Sequence, residues 1–294
     1  MANNFPKIGL ALGSGGAKGL AHIGVLKTLE KAGIDIDFIA GSSIGSLIGA
    51  YYAANPSLDQ LEELVLSFNR RKGFKLFDPA FRGGLLKGNK IENFISELLD
   101  GASFETLRIP YAAIATDMKS AEEVIITDGN LAKAIRASIS VPAIFQTTTY
   151  KKRLLADGGL SEPVPVDAVR KMGADIVLAV NVESGYFYEP VEKIPQLAGI
   201  PMHSVNILRH NLTYHSLKTA DVIISPDTPN TGLVGWNYFF NNQKAQAMIN
   251  AGEEAARKAL PEIERLIAER QRGQRPSRLK RFFSIFKRPG FFSN

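Results

Sequence analysis

Residues 36–54 read IDFIAGSSIGSLIGAYYAA. An apolar run typical of a buried strand leads into Gly41-Ser42-Ser43-Ile44-Gly45, and a stretch of small apolar residues with helical character follows. This order predicts a strand, a tight turn and a helix, with Ser43 held at the tip of the turn in a G-x-S-x-G pattern. The charge-free run 38–58 is long enough to span a membrane, but its glycines, serines and Asn-Pro pair favour a buried strand and helix.

The same alternation continues along the chain, where short runs rich in Ile, Val and Ala alternate with longer stretches of helical period. This pattern predicts an α/β fold whose mostly parallel central sheet is covered by helices on both faces. The predicted strands are 8–12, 36–40, 110–116, 123–127, 153–156, 175–181 and 221–225. The predicted helices are 18–32, 44–54, 57–70, 89–99, 130–138, 165–172, 201–218 and 242–270. The stretches 71–88 and 183–201 have neither pattern. Residues 71–88 are predicted to form a long surface loop between two helices, either a lid or a loop without a role in catalysis.

Composition restricts the chemistry further. The 294 residues are 45% hydrophobic and 22% charged, which is typical of a globular domain rather than a disordered chain. Cysteine is absent, which excludes disulfides, thiolate zinc sites and a cysteine nucleophile. No histidine or carboxylate cluster has metal-ligand spacing, so neither a metal nor another cofactor is predicted.

The glycine run Gly13–Gly19, GSGGAKG, follows the first strand and opens the first helix. Backbone N–H groups at such a helix start favour a negative charge, so the run is a candidate anion cradle. Its spacing fits neither the nucleotide P-loop nor the dinucleotide fingerprint. The alternative is that these glycines only allow close packing.

Ser43 needs a base, because a serine hydroxyl is almost fully protonated at neutral pH. None of the four histidines is in a loop where a catalytic histidine is expected: His22 is on an apolar helix face, and His203, His210 and His215 share one helix. Asp157, in LLADGGL, is the better candidate because it ends a short apolar strand. Asp-Gly-Gly is equally typical of a simple turn.

Four blocks together resemble the patatin-like phospholipases, including small bacterial members and the catalytic domain of neuropathy target esterase. They are GSGGAKGLAHIGVLKTLEKAGI, GSSIG, RASISVPAIF and ADGGLSEPVPV, within residues 5–260. The resemblance implies a three-layer patatin-like fold and a serine lipid acyl hydrolase of the phospholipase A or lysophospholipase type. It also implies a Ser43–Asp157 dyad that needs no histidine, with an oxyanion hole formed by backbone N–H groups of the glycine block. We assign that hole to Gly15 and Gly16, together with Ile44.

The glycine block departs from the family pattern Gly-Gly-Gly-x-Arg/Lys-Gly, because Ser14 occupies its first place. Lys18 occupies the basic place, where we expect it either to hold the loop or to bind a phosphate head group of the substrate. Two alternatives to the hydrolase remain: an acyltransferase or thioesterase with the same dyad, and a non-catalytic regulator that retains the fold.

The positive charge is concentrated at the C-terminus. Residues 270–294 contain eight Lys or Arg and no acid, which leaves 27 basic against 29 acidic side chains in the remainder. Within this tail, residues 278–288 place Leu279, Phe282, Phe283 and Phe286 at helical spacing among basic residues. Arg278–Arg288 is therefore predicted to contact an anionic membrane surface. A solubilising tail, or one docked on the body, is the alternative, and nucleic acid is not an expected partner.

These patterns divide the chain into a catalytic domain, 5–260, and a basic amphipathic tail, 261–294. The N-terminal residues lack the pattern of a secretory signal. We therefore expect a cytoplasmic protein, peripheral at the inner membrane face.

Overall fold

The computed structural model describes residues 5–55, 58–80, 83–184, 200–229, 231 and 235–274. The strands are β1 (Ile8–Leu12), β2 (Phe38–Ser42), β3 (Tyr111–Asp117), β4 (Glu123–Ile126), β5 (Thr148–Tyr150), β6 (Arg153–Asp157), β7 (Ile176–Val180) and β8 (Val222–Ile224). The helices are α1 (Ala21–Lys31), α2 (Ile44–Ala54), α3 (Asp59–Leu66), α4 (Arg70–Lys75), α5 (Asn89–Leu98), α6 (Leu131–Ser138), α7 (Val166–Lys171), α8 (Ile200–Leu217), α9 (Trp236–Phe239) and α10 (Asn242–Gln274).

All eight strands belong to one sheet with the order β5-β6-β3-β2-β1-β7-β8, and β4 pairs with β3. The five neighbouring strands β3, β2, β1, β7 and β8 are parallel to one another. β4 and β6 are antiparallel to β3, and β5 is antiparallel to β6. The prediction of an α/β fold with a mostly parallel sheet is thus confirmed.

The two faces of the sheet carry side chains of different size. On β1, Ile8, Leu10 and Leu12 face the larger core, which also contains residues of α1, α2 and α10. Ala11 faces the smaller core, which contains α7 residues such as Val169. Gly9 completes this second face, since a Cβ there would lie 2.0 Å from Val169 Cγ1. Small residues on one face let α7 pack close to the sheet, and bulky residues fill the space beneath the other helices.

The pairing register explains how two distant turns meet. Ile114 of β3 pairs with Ser42 on one edge and with Ile125 of β4 on the other, and the next residue, Ala115, pairs with Asp157 and with Val124 of β4. A residue has one partner on each edge of its strand, so β2 and β6 both lie on the edge of β3 that faces away from β4. They run in opposite directions along that edge, and their last residues meet.

The predicted strands are all observed, with bounds that shift by two residues or fewer. β2 begins and ends two residues later than predicted, because its parallel pairing with β3 continues to Ser42. β5 was not predicted: it is three residues of TTY, too short and too polar to show strand periodicity, and its pairing with β6 stabilises it.

The helices depart from prediction at more places. The predicted helix 57–70 is shorter, as α3 ends at Leu66. Prediction of 71–88 as a continuous loop is wrong, because α4 forms there, with the Asn69 side chain accepting a hydrogen bond from Lys72 N at 3.0 Å. The sequence RRKGFK has no apolar period, so the helix depends on this cap and on packing. The four-residue α9 was also not predicted.

The C-terminal helix bears on the proposed division of the chain. α10 continues through residues 260 and 261 as far as Gln274. The boundary at 260/261 thus lies within a helix, and the two-part organisation stays a prediction. The tail segment Arg278–Arg288 and most of 183–201 lie outside the described residues. Among the described residues, every helix is too short or too polar to cross a membrane.

Candidate active site

The Ser43 turn joins β2 to α2. Ser43 has φ 53° and ψ −123°, a backbone conformation that residues with a side chain rarely adopt. The flanking glycines make the turn possible: a Cβ on Gly45 would lie 2.2 Å from Leu12 O, and one on Gly41 would lie 2.4 Å from Gly45 O. The backbone therefore passes close to its neighbours, and the Ser43 side chain is held at the carboxyl end of the sheet.

Asp157 is the last residue of β6 and lies directly opposite this turn. Ser43 Oγ donates a hydrogen bond of 2.5 Å to Asp157 Oδ2. The other carboxylate oxygen, Oδ1, accepts a bond of 2.8 Å from Gly159 N. Ser43 is 6% exposed and Asp157 5% exposed. The structure thus brings the two predicted catalytic side chains together, 114 residues apart in the sequence.

The environment of Asp157 adjusts its acidity. Burial raises the pKa of its carboxyl above the ordinary value, while the positive charge of Arg209 and the hydrogen bonds from Ser43 and Gly159 act in the opposite direction. A carboxylate with a raised pKa is a stronger proton acceptor than one in water, provided that it stays ionised at the working pH.

The segment from Arg136 to Phe145 holds both turns in place. Ser138 Oγ accepts a bond of 3.0 Å from Ser43 N, and Ser140 O accepts one of 3.1 Å from Asp157 N. Arg136 in turn is buried, and its guanidinium donates to the carbonyl oxygens of Lys87, Gly88 and Gln146. The sequence identified this block only through resemblance, because its role depends on contacts across the fold.

The glycine run passes beside the two turns as a 3₁₀ turn, Gly16–Leu20, that leads into α1. Gly16 has φ 56° and Gly15 has φ 159°. His22 Nε2 donates a bond of 2.8 Å to Gly13 O. Burial lowers the pKa of His22 to about 4, so the ring is neutral at physiological pH. His22 therefore fixes the glycine loop, in keeping with the packing role expected from its apolar helix face.

Both turns and the glycine loop border one cavity of about 230 Å³. Its polar end contains Gly15, Gly16, Ser43, Ile44 and Asp157. The remainder is almost entirely apolar and includes Leu20, Ile23, Leu47, Ile48, Leu61, Val65, Phe68, Leu76, Phe94, Ile95, Leu98, Ile139, Phe145 and Phe239. An apolar cavity that borders a serine–carboxylate pair is suited to a hydrocarbon chain with a polar reacting group at one end.

Lys18 lies apart from this polar end. It is 2% exposed, and its Nζ is 3.5 Å from Glu183 Oε1. Of the two roles predicted for Lys18, its burial and its ion pair favour holding the loop over contact with a head group.

Arg209 of α8 is a site residue that the sequence analysis missed. It lines the cavity, and its Nη2 donates to Ser14 Oγ at 2.6 Å and to Glu183 Oε2 at 2.7 Å. Ser14 thus provides, at the place where the family pattern has glycine, a hydroxyl that ties the loop to α8. The sequence around Ser14 gives no hint of this partner, which lies 195 positions away.

The part of the chain that the structure describes has no group of three or more His, Asp or Glu side chains placed to hold a metal ion. Both oxygens of Asp157 are occupied by hydrogen bonds from the chain.

Fold and site together define an α/β protein with a serine–carboxylate pair at the carboxyl end of its sheet. The family model described as patatin-like phospholipase matches residues 10–170, more than half of the chain. The chain therefore belongs to the patatin-like phospholipase family, and the resemblance noted in the sequence is confirmed.

Individual relatives agree with this assignment. An uncharacterized NTE family protein of Mycobacterium tuberculosis is 40% identical over 181 residues, which are 61% of this chain and 50% of that protein. Human patatin-like phospholipase domain-containing protein 6 is 33% identical over 184 residues, 60% of this chain and 13% of that protein. The chain thus aligns with half or less of these curated relatives. Among solved structures, VipD from Legionella pneumophila shares the fold, with a TM-score of 0.59 at 12% identity over 89% of this chain and 67% of VipD.

Proposed function

We propose that the chain is a serine lipid acyl hydrolase of the phospholipase A or lysophospholipase type. One observation carries the proposal: the 2.5 Å hydrogen bond between Ser43 Oγ and Asp157 Oδ2 at the end of an apolar cavity. Family membership supports the same class of reaction.

In the proposed first step, Ser43 Oγ attacks the carbonyl carbon of an acyl ester while Asp157 accepts the hydroxyl proton. The tetrahedral intermediate then collapses, the ester C–O bond breaks, and Asp157 returns the proton to the departing alcohol oxygen. Water repeats the sequence on the acyl-enzyme, releasing the fatty acid and regenerating Ser43. No histidine is needed, because the carboxylate contacts the nucleophile directly.

We assign stabilisation of the oxyanion in this intermediate to the backbone N–H groups of Gly15, Gly16 and Ile44. Gly15 and Gly16 border the cavity next to Ser43, and Ile44 is the first residue of α2. The first N–H groups of a helix have no acceptor within the helix, and the helix dipole favours negative charge there. Donors already in position stabilise the oxyanion without reorganisation when it forms.

Substrate class follows from the cavity lining. Leucine, isoleucine and phenylalanine side chains surround the space beyond the dyad, so an acyl chain would bury its methylene groups there. The head group of a phospholipid or lysophospholipid would stay near the polar end. A cytoplasmic location, with membrane attachment through Arg278–Arg288, remains part of the proposal.

The test is hydrolysis of a short-chain p-nitrophenyl ester and of a lysophospholipid by wild type, Ser43→Ala and Asp157→Asn, with folding checked by circular dichroism. Ser42→Ala is the matched control, since Ser42 is a fully buried neighbour whose Oγ has no hydrogen-bond partner. We expect wild type and Ser42→Ala to turn over both substrates and the two dyad variants to be nearly inactive.

The same assay separates the competing functions. Transfer of the acyl group to an added alcohol or lysolipid in preference to water would favour an acyltransferase. A folded wild type that is inert on both substrates would contradict the hydrolase and favour a regulator.

A further inference from the structure

We propose that α4 and the loop that follows it form a docking surface for an anionic lipid membrane, next to the entrance of the cavity. We call residues 70–77 and 84–90 the α4 surface. The proposal rests on the proposed function, since it gives that site its route to lipid. It concerns residues outside the C-terminal tail and stands on different observations.

Exposed apolar side chains are the first observation. Phe74 is 77% exposed, Phe77 is 45% exposed and Leu85 is 68% exposed. The rings of Phe74 and Phe77 stack on each other, with centroids 6.0 Å apart and planes at 10°. Two neighbouring aromatic rings left in water are unfavourable unless another apolar phase covers them.

Charge is the second observation. Arg70, Arg71, Lys72 and Lys75 of α4 are all exposed, and the sequence has no acid between Glu63 and Asp78. Asp78, the only acid in residues 64–90, is buried, and its two oxygens accept bonds from Gly88 N and Lys90 N. Two further exposed cations are Lys87 in the loop and Lys90 in the first turn of α5. Charge on the α4 surface is thus entirely positive and complementary to anionic lipid.

Attachment of α4 to the body links the surface to the cavity. A Cβ on Gly73 would lie 2.4 Å from Phe240 Cε1, and Phe240 also stacks on Phe68 with centroids 5.9 Å apart. Phe68 and Leu76 line the cavity. Leu76 therefore faces the acyl site while Phe74 and Phe77, on either side of it in the sequence, face outward. An acyl chain leaving the membrane would therefore pass the exposed rings of Phe74 and Phe77 and then contact Leu76 in the cavity lining.

This combination favours a membrane over a protein partner. Lysine is depleted in protein–protein interfaces, whereas Lys and Arg around exposed Phe are typical of segments that lie in the head-group region of a bilayer.

The test measures co-sedimentation of the full chain with vesicles of phosphatidylcholine alone or with phosphatidylglycerol, in an inactive Ser43→Ala background so that lipid is not consumed. The variants are Phe74→Ser/Phe77→Ser and Arg71→Glu/Lys75→Glu. Matched controls are Phe5→Ser and Lys31→Glu, which alter an exposed Phe and an exposed Lys at the opposite end of the sheet. A tail variant, Phe282→Ser/Phe286→Ser, measures the contribution of the other candidate.

We expect each α4 double variant to bind the anionic vesicles at least tenfold more weakly, with the controls unchanged; reversal of two cations alone corresponds to about this factor or more. With Ser43 restored, the α4 variants should hydrolyse a soluble short-chain ester at the wild-type rate and vesicle lipid more slowly. Wild-type vesicle binding by both α4 variants, or loss only in the tail variant, would overturn the proposal. So would lipid-free self-association by light scattering that Phe74→Ser/Phe77→Ser abolishes, because the surface would then be a protein interface. Binding is read without catalysis, so an inert wild type would defeat the proposed function and leave this result interpretable.

Discussion

The Ser43 turn and the Asp157 turn face each other across 2.5 Å but are built differently. Ser43 occupies a strained backbone conformation, φ 53° and ψ −123°, enclosed by backbone atoms around Gly41 and Gly45. Asp157 has an ordinary φ of −51°, and side-chain hydrogen bonds orient its carboxylate. The Asp157 turn is also closely packed, since a Cβ on Gly158 would lie 2.3 Å from Ile114 O. Of the two residues, however, only Ser43 has a strained backbone, and hydrogen bonds with a nearby charge orient the Asp157 carboxylate.

This difference has a functional reason. A nucleophile must be aimed at a carbonyl carbon within a narrow range of positions, which a rigid turn secures. A base must also change protonation state during the reaction, so its surroundings have to accommodate both a charged and a neutral carboxyl. Each prediction below tests one side of the comparison.

The largest effect concerns the dyad as a unit. Ser43→Ala and Asp157→Asn should each lower kcat/KM by about 10⁴-fold, and the double variant should lose no further activity, because either change alone removes the same step. Steady-state kinetics on a short-chain ester would measure this. Additive losses in the double variant would mean that the two residues act separately and would contradict the pairing.

The next largest effect concerns stability. Gly45→Ala should lower the free energy of unfolding by about 3 kcal/mol or more, because the new Cβ would press against the Leu12 carbonyl, which belongs to a central strand. Gly159→Ala should lower it by only about 1 kcal/mol, because its Cβ would meet the side chains of Asp157, Ser14 and Arg209, which can shift.

Urea unfolding would provide both values. Gly33→Ala is the control, because Gly33 has a positive φ and open space around it; we expect it to lower the free energy of unfolding by about 1 kcal/mol. Equal losses at Gly45 and Gly159 would show that the side chains around Gly159 yield no more readily than the Leu12 carbonyl.

A smaller effect isolates the strain at Ser43. Ser43→Gly should be more stable than Ser43→Ala by about 1 kcal/mol, since glycine adopts positive φ without steric penalty. At Asp157, glycine should bring no such advantage over alanine. Thermal unfolding of Ser43→Gly, Ser43→Ala, Asp157→Gly and Asp157→Ala would test both expectations. If Ser43→Ala were at least as stable as Ser43→Gly, the backbone of Ser43 would not be strained.

The last prediction concerns pH. The active form needs an ionised Asp157, so activity should fall as the pH drops through the pKa of that carboxyl. The charge of Arg209 lowers this pKa, and Arg209→Gln should therefore move the acidic limb of kcat/KM to higher pH. Arg209→Lys keeps a positive charge and should have a limb closer to that of wild type. An unmoved limb in Arg209→Gln would mean that Arg209 serves only to hold Ser14 and Glu183.

Local sequence determined much of the protein. The spacing of apolar residues was sufficient to predict seven strands and most helices, because strands and helices each have a characteristic apolar period. Glycine spacing was sufficient for the Ser43 turn, since only a turn flanked by glycines can pass so close to Leu12. Four short sequence blocks were sufficient to identify the patatin-like phospholipase family.

Tertiary structure decided what these local signals could not contain. β5 forms because it pairs with β6, α4 packs against the distant Phe240 in addition to its local Asn69 cap, and Arg209 reaches Ser14 from 195 residues away. The pairing of Ser43 with Asp157 depends on β2 and β6 ending against adjacent residues on one edge of β3. Such a meeting is a property of strand register between distant segments, and the period of a single segment carries no information about register.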